Sequence, residues 1–123
     1  MSRSTDKAEP RFAYEGIDKV IHEKARLSIV ASLASHADSL TFNDLKDLCG
    51  LTDGNLSRHL AVLQEAGVVK IEKSFRNNKP LTTCKLMAAG RKRFVEYVSE
   101  LEKVIADAAK KHGASSSLGI LPT

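Results

Sequence analysis

Cysteine is scarce in this sequence, with Cys49 and Cys84 as its two examples. Two thiols far apart cannot build a secreted disulfide scaffold, and they suit a reduced, cytoplasmic protein. No apolar run approaches the ~18 residues needed to cross a bilayer, so no membrane role is expected. Residues 1–15 carry charges throughout and lack the apolar centre of a signal peptide. Internal repeats are absent. So are a glycine-rich phosphate loop, a Ser/His/acid constellation and clustered carboxylates, which leaves enzymatic chemistry without a foothold. His22, His36, His112 and the two cysteines show no metal-ligand spacing, so neither a metal nor a cofactor is expected. Cys49, between Leu48 and Gly50, reads as a small core residue. A single-thiol redox switch at Cys49 or Cys84 is the alternative, with no further residue to support it.

What is present suits one globular domain. The 123 residues are 42% hydrophobic and 28% charged, enough apolar material for one core and too short for two. Residues 1–14 are polar and read as a flexible arm, 15–112 as the folded domain, and 113–123 as a flexible tail. The net charge is +4, but Val68 to Arg93 hold eight basic residues against one acid, a local +7 that leaves −3 elsewhere. Such an excess is a footprint for a polyanion, and it would equally dress a solvated surface.

Apolar periodicity predicts a first helix from about Gly16 to His36. Ile17, Ile21, Ala25, Ile29 and Leu33 form one stripe, and Val20, Leu27, Val30 and Ala34 form another on the opposite side. A helix apolar on two sides asks for a second partner beyond its own core. Thr41 then caps a short helix with Leu45 and Leu48 pointing inward, and Gly50 stops it. Thr52 caps a third helix, Asp53 to about Ala66, ended by Gly67. Two helices joined by so short a turn suggest a helix-turn-helix.

On the third helix Leu56, Leu60 and Leu63 form the buried seam. The opposite face carries Gly54, Asn55, Ser57, Arg58 and Ala61, small and hydrogen-bonding groups with one guanidinium. Small residues allow close approach, and Arg and Asn can read guanine and adenine edges. A plain solvent face is the alternative. Val68–Phe75 and Leu81–Met87 read as a β-hairpin around Arg76-Asn77-Asn78-Lys79-Pro80. That loop suits phosphate or minor-groove contact, or merely solubility.

The last helix, about residues 88–111, repeats Phe94, Val98, Leu101, Ile105 and Ala108 at coiled-coil-like spacing, with Tyr97 and Val104 beside them. It either folds back on its own core or dimerises. A homodimer would place Val20, Leu27, Phe94, Val98, Leu101 and Ile105 at the interface.

The stretch Leu51-Thr52-Asp53-Gly54-Asn55-Leu56-Ser57-Arg58-His59-Leu60, followed by Ala66-Gly67-Val68-Val69, resembles the recognition helix and wing entry of ArsR/MarR-type winged-helix regulators. Met87-Ala88-Ala89-Gly90-Arg91 departs from that pattern, where relatives commonly carry Leu-Thr-x-x-Gly-Arg. The resemblance spans about Ile17 to Ile105. It implies a mainly α fold with a small β-hairpin (α+β), a winged helix-turn-helix with a long C-terminal dimerisation helix. It further implies a sequence-specific transcriptional regulator that meets a palindromic site on double-stranded DNA as a homodimer. The implied DNA contacts are Thr52, Gly54, Asn55, Ser57, Arg58, His59, Lys73, Arg76, Asn78 and Lys79. His59 lies at the edge of the apolar seam, so it suits a packed histidine as well as a phosphate contact. Metal-sensing relatives place a cysteine pair near Thr41–Leu45, where this chain has none. Any small effector would have to use the dimer interface. The alternative function is a winged-helix protein-interaction module without DNA binding.

Overall fold

A computed structural model describes residues 10–112. The elements run α1 (Lys24–Ala34), β1 (Ser39–Thr41), α2 (Phe42–Cys49), α3 (Asp53–Glu65), β2 (Val69–Arg76), β3 (Lys79–Leu86) and α4 (Ala88–His112). They make an α+β winged-helix fold of four helices and one antiparallel sheet, with the long C-terminal helix expected. The described residues divide into two compact units, Asp18–Tyr97 and a second formed by residues 10–17 with 98–112.

In the first unit the sheet order is β1-β3-β2. β3 is central, pairing Leu40 with Cys84 on one side and Ile71 with Cys84 on the other. Only the hairpin was anticipated; Ser39-Leu40-Thr41 is too short to carry a strand signal. The core joins Ile29, Val30 and Leu33 of α1, Leu45 of α2, Leu56, Leu60 and Leu63 of α3, and Val68, Val69, Cys84 and Leu86 around the sheet. Burying each large aliphatic side chain contributes roughly 1.5–3 kcal/mol.

The first helix is shorter than its periodicity predicts. Asp18 Oδ1 accepts the backbone N–H groups of Val20 and Ile21 at 2.9 and 3.3 Å, holding that stretch in a turn. Glu23, extended at φ −148°, then caps α1 by accepting from the Arg26 N–H at 2.8 Å. Much of both apolar stripes is covered within the unit, although Ala25 and Leu27 stay half-buried. Ile21, Ile29, Val30 and Leu33 are fully buried, while Val20 and Ala34 pack against the core. Leu48, expected inward, is 53% exposed because the short α2 turns only Leu45 fully into the core.

In the second unit Asp107 of α4 accepts from Arg11 Nη2 at 3.0 Å and from the Tyr14 hydroxyl at 2.6 Å. Both donors, Arg11 and Tyr14, belong to the arm read from sequence as residues 1–14. Residues 1–9 of that arm and the expected tail, 113–123, lie outside the described residues. Helix α4 is 25 residues long, about 37 Å at the α-helical rise. Among the described residues, no helix is long and apolar enough to cross a membrane.

Candidate nucleic-acid interface

The helix-turn-helix is set by three local devices. Thr41 Oγ1 accepts the Asp44 N–H at 3.1 Å and starts α2. Gly50, left-handed at φ +64°, ends α2 with its N–H on the Lys46 carbonyl. Thr52 Oγ1 accepts the Asn55 N–H at 3.2 Å and starts α3. Thr52, placed among the DNA contacts by sequence, is exposed but has this capping role. Across the turn, Lys46 Nζ meets Asp53 Oδ1 at 2.9 Å. That contact raises the Lys46 pKa and sets a positive charge beside the acid at the start of α3. The pairing was not legible in sequence, because it depends on the angle between two helices.

The two faces of α3 divide as its pattern predicts. Leu56, Leu60 and Leu63 are buried, while Gly54, Asn55, Ser57, Arg58 and Ala61 are exposed. Arg58 Nη2 donates to Asn55 Oδ1 at 3.2 Å, so the guanidinium and the amide stand side by side on the exposed face. A methyl group added at Gly54 would meet nothing within 4 Å, which marks an open face. His59 departs from its expected place among the outward contacts. It is only 6% exposed, with Nδ1 3.2 Å from Arg26 Nη1 and 3.7 Å from Glu23 Oε1. In this arrangement His59 ties α3 to the start of α1.

The wing is tighter than the sequence suggests. The turn consists of two residues, Asn77 and Asn78, both left-handed at φ +52° and +63°. The strands extend around it, and Pro80 falls inside β3 opposite Phe75. Two left-handed residues match the twist of a hairpin, and asparagine tolerates that conformation. Arg76 and Lys79 become direct cross-strand partners. Like charges placed opposite each other destabilise a ladder unless an anion lies between them.

The eight cations of the basic stretch split into two groups. Lys70 and Lys85 share Glu72 at 3.4 and 3.8 Å, Arg91 pairs with Asp38, and Arg93 pairs with Asp18. Lys73, Arg76, Lys79 and Lys92 have no acidic partner among the described residues. Lys73 shares a cavity of about 290 Å³ with Ser57, Leu60, Phe42, Ile71 and Thr82, which brings wing and recognition helix to one cleft. Asn78 is exposed at the tip.

The profile of the family described as winged helix DNA-binding domain matches residues 25–105. The chain belongs to this family. The uncharacterized protein MJ0432 of Methanocaldococcus jannaschii is 36% identical over 83 residues, covering 68% of this chain and 89% of that protein. The uncharacterized HTH-type transcriptional regulator YdgJ of Bacillus subtilis is 26% identical over 112 residues, 84% of this chain and 67% of its own. A transcriptional regulator homologue from Pyrococcus horikoshii superposes with TM-score 0.68 at 27% identity, over 72% of this chain and 87% of that one. A MarR-family regulator from Enterococcus faecalis shares the fold at TM-score 0.64 and 22% identity, over 76% and 83%. The Bacillus subtilis, Pyrococcus horikoshii and Enterococcus faecalis proteins carry names of transcriptional regulators, the last of the MarR family.

Within the winged-helix domain, Val20 and Phe94 of the expected dimer set pack against the domain's own core. Phe94 also stacks at 6.5 Å on Tyr97, which is buried with its hydroxyl 2.8 Å from His22 Nδ1. Leu27, Leu101 and Ile105 are half-buried, and Val98 is exposed. Cys84 lies buried in the central strand, and burial pushes its thiol up to about 11, so almost no thiolate forms at neutral pH. Cys49 is partly buried, with Sγ 3.6 Å from Ser32 Oγ.

Proposed function

We propose that this winged-helix regulator binds a palindromic operator as a homodimer, with α3 in the major groove and the β2–β3 wing on the backbone or minor groove. One observation carries the reading. The α3 face bearing Gly54, Asn55, Ser57 and Arg58 is uncovered, and it opens beside a wing whose tip opposes two cations without a described acid between them. Arg58 suits a bidentate contact with guanine and Asn55 one with adenine. Gly54 and Ser57 allow close approach, with Thr52 beside the phosphate at the helix start. Lys73, Arg76, Asn78 and Lys79 supply phosphate or minor-groove contacts. A surface made for a protein partner would have no need of both the Arg58 face and the free wing cations.

Dimerisation is supported by Val98, Leu101 and Ile105, which follow the 3-4 spacing of a helix–helix seam on α4. Two recognition helices related by a two-fold axis would enter successive major grooves ~34–36 Å apart. Selection from a random duplex pool tests the whole reading. Enriched sequences should contain inverted half-sites spaced by about 10 base pairs centre to centre. Failure to enrich any sequence at low salt would overturn it.

A further inference from the structure

We infer that Phe75 is an apolar wedge at the wing tip, pressed against a minor-groove base step when the protein sits on duplex DNA. The inference rests on the DNA-binding reading above and adds a residue to it. Alternate residues of a strand share a face, so Ile71, Lys73 and Phe75 point the same way along β2. The register sets Cys84, Thr82 and Pro80 opposite them on β3. Moving outward, the first rung, Ile71 with Cys84, belongs to the core. The second, Lys73 with Thr82, lines the cleft shared with Ser57 and Leu60 of α3. The third, Phe75 with Pro80, continues the same face past the end of the core.

Phe75 is 76% exposed there, more than any other large apolar side chain of the described residues. It is not among the residues packed against the core. Its surroundings specify the occupant. Lys73 lies on the same face two residues inward, and Arg76 and Lys79 form the adjacent tip rung on the opposite face. All three are without described acidic partners, a charge pattern that complements a phosphate backbone and not an apolar protein face. The two-residue turn leaves the tip narrow, so no loop hides the ring. An aromatic ring beside phosphate-binding cations is the chemistry of side chains that partly unstack a base step and bend the duplex. Flexible pyrimidine–purine steps yield most easily to such insertion. Phe75 would thus select sequence at a position that α3 does not touch.

The chain contains no tryptophan, so Phe75→Trp creates a single fluorophore at the tip. The test titrates this variant with a duplex recovered by the selection above, while anisotropy of a label on the DNA reports binding independently. Tryptophan emission should be quenched in step with binding. Phe75→Ala should weaken binding about 5–10-fold with an unchanged salt slope, since no charge is removed. Phe75→Leu should retain part of the loss. Unchanged emission at saturating duplex, or wild-type affinity in Phe75→Ala, overturns the wedge and leaves the DNA-binding reading standing. Emission that shifts with protein concentration in the absence of DNA would assign the ring to a contact between copies, and also overturns it. If anisotropy detects no binding even by the wild-type protein, the DNA-binding reading fails and the wedge falls with it.

Discussion

The guanidinium of Arg93 lies along the carboxylate of Asp18, with Nε 2.9 Å from Oδ2 and Nη2 3.1 Å from Oδ1. Arg93 Nη1 also donates to the Ala66 carbonyl at 3.0 Å, at the end of the recognition helix. One side chain of α4 thereby joins the turn before α1 to the end of α3. The hydrogen bond from Arg93 holds the Asp18 pKa below its ordinary value, against the opposing effect of burial. A carboxyl with a depressed folded pKa stabilises the fold above its unfolded pKa, and that contribution fades as pH falls toward the folded value. Wild-type stability should therefore decline as pH drops through and below about 3.8. Asp18→Asn should lack this part of the decline in urea titrations across that range. Arg93→Ala should cost about 1.5–3 kcal/mol at neutral pH, as expected for hydrogen bonds to a charged group.

Two glycines make opposite predictions. A methyl group at Gly90 would collide with the Val68 carbonyl, lying 2.9 Å from its carbon, where Met87 also donates its N–H at 2.9 Å. Backbone cannot yield cheaply, so Gly90→Ala should destabilise by more than about 2 kcal/mol in thermal melts. Gly54→Ala meets open space and should stabilise α3 by up to about 1 kcal/mol. The same variant should nevertheless bind DNA more weakly, because the added methyl group stands between helix and groove.

Arg58 and Lys79 should fail in different ways. Arg58→Ala should cost about 1–3 kcal/mol at the selected site and relax preference at one base position. Lys79→Ala should weaken selected and random duplexes alike and lower the salt slope by about one unit. Equal loss on random DNA for Arg58→Ala would reduce that residue to a phosphate contact. An unchanged slope for Lys79→Ala would remove it from the phosphate partners.

Val98 tests the dimer. It is 38% exposed, so Val98→Glu should leave the circular dichroism spectrum intact. Sedimentation should show the variant as a monomer at concentrations where the wild type is a dimer, since the charge falls in the proposed seam. A wild-type protein that is already monomeric at micromolar concentration would overturn the homodimer.

Much of the winged helix was legible from local chemistry. Thr41, Gly50 and Thr52 mark helix ends because caps act within three or four residues. Leu56, Leu60 and Leu63 declare the inner face of α3 by spacing alone. The failures share a cause. The stretch from Gly16 to Glu23 has helical periodicity, yet the Asp18 carboxylate ties it into a turn, with Arg93 distant in sequence on its other side. Val20 and Phe94 read as spare apolar surface because a wheel cannot show which neighbours arrive to cover it. His59 could not be assigned to core or surface until Arg26 was seen beside it.

Short-range signals in the chain (caps, stops and apolar spacing) were sufficient to specify a helix-turn-helix, a basic hairpin and a long final helix. They act over one or two turns of backbone, where covalent geometry limits the alternatives. Packing across distant elements decided which four cations of the basic stretch keep no described acidic partner, that His59 faces inward, and that Phe75 stands clear of the core. Those outcomes depend on distances between segments far apart in sequence, and only the assembled domain sets them.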